Sequence, residues 1–285
     1  MTKRFARHAG LLFATALAAT LPAVVVSPAS ADSSSPISEY GNSNGTTLTG
    51  DWNGDGIDTP GLFVRGVNGG TNTFYLRNSN TSGVADLTVV YGNGGWPVVG
   101  DWDGDGDDTL GLVALNAAGA NTWMLRNSNT PGIANITFAY GTGSYPVVGD
   151  WDGDGDDTPG LVALNPSGAN TWMLRNSNTP GIANITFAYG TGSIPVVGDW
   201  DGDGDDTAGL FAQNSPANTW MLRNSNTPGI ANITFLYGTN GYQLAGDWDR
   251  DGDDTPGIVY EQSPRSWHLR NSNSAGPPSI VFLFG

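Results

Sequence analysis

The stretch at residues 100–109, Gly-Asp-Trp-Asp-Gly-Asp-Gly-Asp-Asp-Thr, decides the fold. Variants of this stretch recur along the chain at a period of 48 to 50 residues. Their first aspartates are Asp51, Asp101, Asp150, Asp199 and Asp247. Repeats of this length indicate that each copy is one supersecondary unit that packs against its neighbours. The sequence therefore predicts five such units over residues 37–285.

Each copy predicts four short strands. In the second copy they are Val98–Asp101, Thr109–Leu115, Thr122–Asn127 and Asn135–Tyr140, which are apolar or alternate in polarity. Four strands in about 40 to 50 residues are typical of a propeller blade. We therefore expect an all-β, five-bladed β-propeller with four-stranded antiparallel blades, and an open β-repeat solenoid is the alternative.

The two ends of the repeat region both resemble the fourth strand of a copy. Ile37–Gly41 could complete the last blade and close the ring, but the chain also ends on a strand of this kind at residues 279–285. Six such strands for five blades require that one of them lies outside the blades.

The first 31 residues have the layout of a secretory signal peptide. Lys3, Arg4 and Arg7 precede an apolar run over residues 11–26, and Ala29–Ala31 supplies the small residues of a cleavage site. We predict a signal peptide at residues 1–31, a short linker at 32–36 and the propeller at 37–285. The mature protein is then expected to be secreted and extracellular.

The composition excludes several partners. The chain has no cysteine and a formal net charge of −16, and beyond residue 31 eight arginines face 27 acids. A surface this acidic repels nucleic acid and anionic membranes. We therefore expect neither nucleic-acid binding nor membrane insertion, and we expect cations to neutralise the acidic residues.

The acids are concentrated in the recurring segment, which we call the Asp loop and number from its first Asp. Carboxylates at positions 1, 3 and 5, followed by Gly at position 6, match the first half of an EF-hand Ca²⁺ loop. The loops hold 23 of the 27 acids, and this crowding would be costly without a cation. We therefore predict about five Ca²⁺ sites. The candidate ligands are Asp51, Asn53, Asp55, Ile57 and Asp58; Asp101, Asp103, Asp105, Asp107 and Asp108; Asp150, Asp152, Asp154, Asp156 and Asp157; Asp199, Asp201, Asp203, Asp205 and Asp206; and Asp247, Asp249, Asp251, Asp253 and Asp254.

The Asp loop and the apolar strand after it resemble the FG-GAP/VCBS repeats, which build integrin-α-like Ca²⁺-binding propellers. The resemblance is carried by the residues Gly-Asp-Trp-Asp-Gly-Asp-Gly-Asp-Asp. The resemblance implies ligands at positions 1, 3 and 5, the backbone at position 7 and an Asp at position 9. Here position 9 is Thr and position 8 is Asp in every copy, so either could supply the last ligand. The first copy departs from the loop pattern at Asn53 and Ile57, and the fifth copy departs from it at Arg250. These departures predict weaker Ca²⁺ sites in the first and fifth copies.

A second recurring pattern pairs an aromatic residue with an Arg three residues later. The candidate ligand-binding residues of this pattern are Trp123, Arg126, Trp172, Arg175, Trp220, Arg223, Trp267 and Arg270. An aromatic face with an Arg could bind a sugar ring. The alternative is that the aromatic rings fill the space between blades and the arginines neutralise Asp loops.

The sequence offers little for catalysis. Its two histidines are His8 and His268, its two glutamates are Glu39 and Glu261, and it has no G-x-S-x-G elbow. We expect a monomeric, non-enzymatic scaffold for binding or adhesion, with a multivalent lectin as one form of it, whose partner is an extracellular glycan or protein surface. A glycan-active hydrolase or lyase and a purely structural cell-wall protein are the alternatives.

Overall fold

A computed structural model describes residues 45–165 and 168–285. These residues form twenty β-strands in five sheets of four, and the strand order in every sheet follows the chain. Neighbouring strands are antiparallel throughout. The prediction of a five-bladed propeller with four-stranded antiparallel blades is confirmed.

The blades follow one another along the chain. The first contains β1 (Thr46–Gly50), β2 (Thr59–Val64), β3 (Thr71–Leu76) and β4 (Leu87–Asn93); the second contains β5 (Trp96–Gly100), β6 (Thr109–Leu115), β7 (Asn121–Leu125) and β8 (Ile136–Ala139). The third contains β9 (Tyr145–Gly149), β10 (Thr158–Ala163), β11 (Thr171–Leu174) and β12 (Ile185–Ala188). The fourth contains β13 (Ile194–Gly198), β14 (Thr207–Ala212), β15 (Thr219–Leu222) and β16 (Ile233–Leu236), and the fifth β17 (Tyr242–Gly246), β18 (Thr255–Tyr260), β19 (Ser266–Leu269) and β20 (Ile280–Leu283).

The first strands of the five blades surround the central axis, and the ring is closed. β1 contacts both β5 of the second blade and β17 of the fifth. Across the closing interface, Thr49 Oγ1 donates to the carbonyl of Ala245 at 3.1 Å, and Arg265 Nη2 donates to the carbonyl of Gly45 at 2.9 Å. Since the fifth blade packs on the first, the open solenoid is excluded for the described residues.

Each blade is built around buried aromatic rings. In the second blade Trp102, Trp123 and Phe138 are buried, and the rings of Trp123 and Phe138 lie nearly parallel with centroids 6.3 Å apart. Leu161 from the next blade inserts into the same cluster. The period-two alternation of the strands thus places one face in the blade's own core and the other against a neighbour.

The termini resolve which strand completes the last blade. β20, near the C-terminus, is the fourth strand of the fifth blade and pairs with β19. The strand expected at residues 37–41, the signal peptide at 1–31 and the linker at 32–36 lie outside the described residues. No helix formed by the described residues has the length and apolar character needed to cross a bilayer.

Candidate metal centre

The Asp loops connect the first and second strands of each blade, and their first carboxylate holds the loop curled. In the second loop Asp101 Oδ1 accepts from the backbone N–H groups of Gly104 at 2.8 Å and Asp105 at 3.2 Å, and its Oδ2 accepts from that of Gly106 at 2.7 Å. Gly104 and Gly106 have φ of 67° and 93°, which side-chain-bearing residues rarely adopt. In the other four loops the first carboxylate likewise accepts through Oδ2 from the backbone N–H at position 6.

Three carboxylates converge in four of the five loops. One oxygen from each of positions 1, 3 and 5 lies within 4.8 Å of the others. These Asp triplets are Asp101, Asp103 and Asp105; Asp150, Asp152 and Asp154; Asp199, Asp201 and Asp203; and Asp247, Asp249 and Asp251. Carboxylate oxygens at this density suit a hard divalent cation such as Ca²⁺, which takes six to eight oxygen ligands.

The carboxylates at position 7 crowd the triplets further. Burial, a hydrogen bond to Asp105 and repulsion by Asp105 raise the pKa of Asp107 to about 7. Asp205 and Asp253 have the same environment, and their pKa is also raised to about 7. Burial and repulsion by Asp154 and by Asp101 of the preceding loop raise the pKa of Asp156. A bound cation would offset the repulsion that these groups feel.

The first loop has a different donor set. Asn53 replaces the carboxylate at position 3, and its Nδ2 donates to Asp55 Oδ2 at 3.0 Å. Ile57 occupies position 7, so the loop retains fewer charges than the others. The side chain of Arg250, from the fifth loop, lies over Gly56 of this loop. The first loop is therefore the least suited of the five to a divalent cation.

The aspartates at position 8 lie outside the triplets and join neighbouring blades. Asp157 Oδ2 accepts from the backbone N–H of Asp101 at 2.9 Å, and the Asp157 N–H donates to the Asp101 carbonyl at 2.6 Å. The same two bonds occur at all five interfaces. The pairs are Asp108 with Asp51, Asp157 with Asp101, Asp206 with Asp150, Asp254 with Asp199, and Asp58 with Asp247.

In this ring of contacts the position-8 aspartates are half-buried. Burial raises the pKa of Asp108 and Asp206 to about 7. Burial, together with repulsion from the neighbouring position-8 aspartates, also raises the pKa of Asp58, Asp157 and Asp254 well above the ordinary value. These five aspartates are candidate ligands, and the structure gives one oxygen of each a partner in the preceding blade.

The threonine at position 9 is also committed to structure. Thr109 is buried, and its Oγ1 lies 2.6 Å from the carbonyl of Arg126 and 3.3 Å from that of Gly100. Each alternative for the last ligand, position 8 or position 9, thus has a side-chain oxygen in a hydrogen bond outside the triplet, and the identity of the last ligand stays a prediction.

Asparagines that sequence reasoning missed do reach the triplets. Asn127, from the turn between the third and fourth strands, donates through Nδ2 to Asp103 Oδ2 at 2.6 Å, and Asn224 and Asn271 donate to Asp201 and Asp249. The Oδ1 atoms at this position are buried and have no hydrogen-bond partner among the described residues. They belong to Asn78, Asn127, Asn176, Asn224 and Asn271. The recurring Arg-Asn-Ser-Asn was the signal that could have found them.

The predicted sugar-binding pattern is wrong for its aromatic members. Trp123, Trp172, Trp220 and Trp267 are at most 1% exposed, so no ring face is open to a sugar. Arg126 is also buried; its Nη2 donates to the carbonyl of Thr130 at 2.8 Å and its Cζ lies 5.9 Å from the Tyr91 ring. Arg175 and Arg223 make equivalent contacts, and Arg270 likewise bonds its own turn. The packing interpretation holds for the tryptophans. The arginines form hydrogen bonds within their own turns and do not neutralise Asp loops.

Comparisons with known proteins leave the family open. No protein-family model matches the chain, and no curated protein matches it either. The likeness to the FG-GAP/VCBS repeats therefore stays a resemblance carried by the Asp loops.

Proposed function

We propose that this chain is an extracellular, Ca²⁺-stabilised binding scaffold without catalytic activity. The observation that carries the proposal is the set of four Asp triplets, which occupy the same loop position in consecutive blades. A single acidic turn is commonplace, but four equivalent triplets would make the folded ring depend on cations.

Calcium fits this donor set better than magnesium. The loops offer only oxygen, and Ca²⁺ accepts variable geometry at six to eight ligands, whereas Mg²⁺ requires a near-ideal octahedron and retains waters. In the second loop the residues that would hold the ion are Asp101, Asp103 and Asp105, with the backbone carbonyl of Asp107. When bound, the ion would supply positive charge and tie the loop across its turn.

The distribution of acids supports a binding role over hydrolysis. Outside the Asp loops, the described residues contain only Asp86 and Glu261 as acids. Asp86 accepts from the backbone N–H of Asn78, and Glu261 lies on another blade. A glycosidase needs two carboxyl groups about 5 to 9.5 Å apart in an open cleft. The partner we propose is an extracellular glycan or protein surface, bound by a monomer.

Thermal unfolding with and without chelator tests the proposal. A ligand that binds only the folded state at 100 times its Kd stabilises by about 2.7 kcal/mol per site. For a domain of this size each kcal/mol shifts Tm by about 2–4 °C, so even two occupied sites should separate the Ca²⁺ and EDTA melts by more than about 10 °C. NaCl at matched ionic strength controls for screening and should rescue the EDTA melt only in part. Melts that agree within a degree or two would refute the Ca²⁺ dependence.

A further inference from the structure

The interface between the fourth and fifth blades differs in composition from the three before it. At those three, the second strand of the later blade carries an alanine as its sixth residue, and its third strand carries a methionine that packs against the preceding blade. The alanines are Ala114, Ala163 and Ala212, and the methionines are Met124, Met173 and Met221. At the fourth–fifth interface the equivalent residues are Tyr260 and His268.

The two aromatic residues are held in a fixed arrangement. The rings of Tyr260 and His268 are perpendicular, with centroids 4.9 Å apart. The His268 Nε2 lies 2.9 Å from Ser266 Oγ, and the Tyr237 hydroxyl donates to the His268 carbonyl at 2.9 Å. Both rings are partly exposed. They line a cavity of about 290 Å³ whose other walls include Leu236, Thr239 and Pro278.

The lining limits the ligand chemistry. None of the residues that line this cavity carries a fixed charge, and burial lowers the pKa of His268, which favours its neutral imidazole. The guanidinium of Arg270 lies behind Gly276 of the lining and donates to the carbonyls of Ser274 and Pro277 in its own turn. With no cationic side chain in the lining, an anionic ligand has no partner in this strongly acidic protein. A cationic ligand likewise finds no carboxylate. What the cavity offers is aromatic and apolar surface with a phenol, an imidazole and a threonine hydroxyl.

We propose that this cavity, the Tyr260–His268 pocket, binds one neutral pyranose ring of a glycan. A sugar ring presents apolar C–H faces to aromatic side chains and hydroxyls to the imidazole and phenol. At about 290 Å³ the pocket lies at the lower end of ligand cavities, which run from about 300 to 1,000 Å³, so it suits a single ring. The inference rests on the proposed binding function and places its glycan site here rather than at the buried tryptophans.

The repeat itself supplies the matched variant. The double substitution Tyr260→Ala and His268→Met gives the fifth blade the pair that the three preceding interfaces already carry, so the fold should be retained. Thermal melting in Ca²⁺ checks this. The reciprocal change Ala114→Tyr with Met124→His installs the pair at the first–second interface and should create a second pocket.

Ligand-observed saturation-transfer NMR on the full chain provides the readout. The probes are glucose, galactose, mannose and N-acetylglucosamine, with glucuronate as the charged counterpart, each titrated into the millimolar range because single-ring ligands bind weakly. We expect at least one neutral sugar to receive saturation from the wild type and to bind at least tenfold more weakly to the double variant. Glucuronate should bind more weakly than glucose.

Three results would overturn the proposal: no transfer to any neutral sugar, equal binding by the folded double variant, or preferential binding of glucuronate. Calorimetric Ca²⁺ titration of the same samples separates this proposal from the proposed function. Ca²⁺ uptake without sugar binding would refute only the proposed sugar pocket. Sugar binding without Ca²⁺ uptake would refute only the proposed Ca²⁺ dependence.

Discussion

The position-8 aspartates allow a paired substitution that separates charge from hydrogen bonding. In the wild type Asp157 Oδ2 accepts from the Asp101 N–H across the blade interface at 2.9 Å, and burial keeps its pKa raised. Asp157→Asn removes the charge but keeps an oxygen that can accept from the same N–H. Asp157→Ala removes both. The difference between the two variants therefore isolates the interblade hydrogen bond.

The expected magnitude follows from the unpaired donor. The Asp101 N–H is half-buried, and leaving such a donor without an acceptor costs up to about 1–3 kcal/mol. For a domain of this size that corresponds to a Tm of Asp157→Ala about 2–12 °C below that of Asp157→Asn. Because the asparagine also removes a desolvated charge, its Tm in EDTA at pH 7.5 should be at or above that of the wild type.

Differential scanning calorimetry in EDTA measures the order of the three melts, and a Ca²⁺ titration of Asp157→Asn measures whether a site is lost. We expect the order Asn, wild type, Ala from the most stable, and an unchanged number of Ca²⁺ ions. An asparagine variant that melts with the alanine variant would refute the role of Asp157 as an interblade acceptor. Loss of one Ca²⁺ by the asparagine variant would show that the Asp157 carboxylate acts as a metal ligand.

Three further outcomes are expected. Trp123→Ala should destabilise the folded protein by about 3–5 kcal/mol in a chemical denaturation, without any change in sugar binding, because the ring lies wholly within the blade core. Asn127→Asp should weaken one Ca²⁺ site about 10- to 100-fold in a calorimetric titration, because it loses the N–H donor that orients Asp103; tighter binding would make residue 127 a ligand. Burial raises the pKa of Asp108 to about 7, so the folded metal-free protein binds more protons than the unfolded chain between about pH 4 and 7. Stability in EDTA is then lost as pH rises through about 7, so the Tm in EDTA should be higher at pH 5 than at pH 8. In Ca²⁺ the effect should reverse, because acidification releases the metal and lowers Tm.

The fold was predictable because each local signal recurs five times. The second strand of the second blade, Thr109–Leu115, has the predicted bounds, since its apolar run is flanked by turn residues on both sides. The first strand begins two residues earlier than predicted, at Trp96, and Pro97 pairs with Leu112 within it.

The site was only partly predictable because its remaining contacts join distant parts of the chain. Positions 1, 3 and 5 are local, so spacing alone identified the triplets. The partner of Asp157 is 56 residues away in the preceding blade, and spacing within one loop cannot reveal it. Asn127 meets Asp103 only after the strands of one blade are folded together. The tryptophans were ambiguous because a large aromatic serves equally as core or as a sugar platform.

The resemblance to Ca²⁺-binding repeats was most useful where the chain departs from it. Thr109 at position 9 replaces an expected carboxylate, and the structure gives its hydroxyl two backbone carbonyls as neighbours. Asparagine and isoleucine in the first loop reduce its charge, and the first loop is the one without an Asp triplet among the described residues. The expectation of about five Ca²⁺ sites stays a prediction, and the four Asp triplets lead us to propose four strong sites and a weaker first loop.

Calorimetric titration of Ca²⁺ into decalcified full-length protein at pH 7.5 tests the central claim most directly. Four triplets predict four tight sites, with any fifth ion bound more weakly by Asp51, Asn53 and Asp55 of the first loop. An Asp103→Ala variant should lose one tight site and keep three. That loss would show that the heat of Ca²⁺ binding comes from the Asp loops. An absence of Ca²⁺ uptake, or full uptake by Asp103→Ala, would contradict the account.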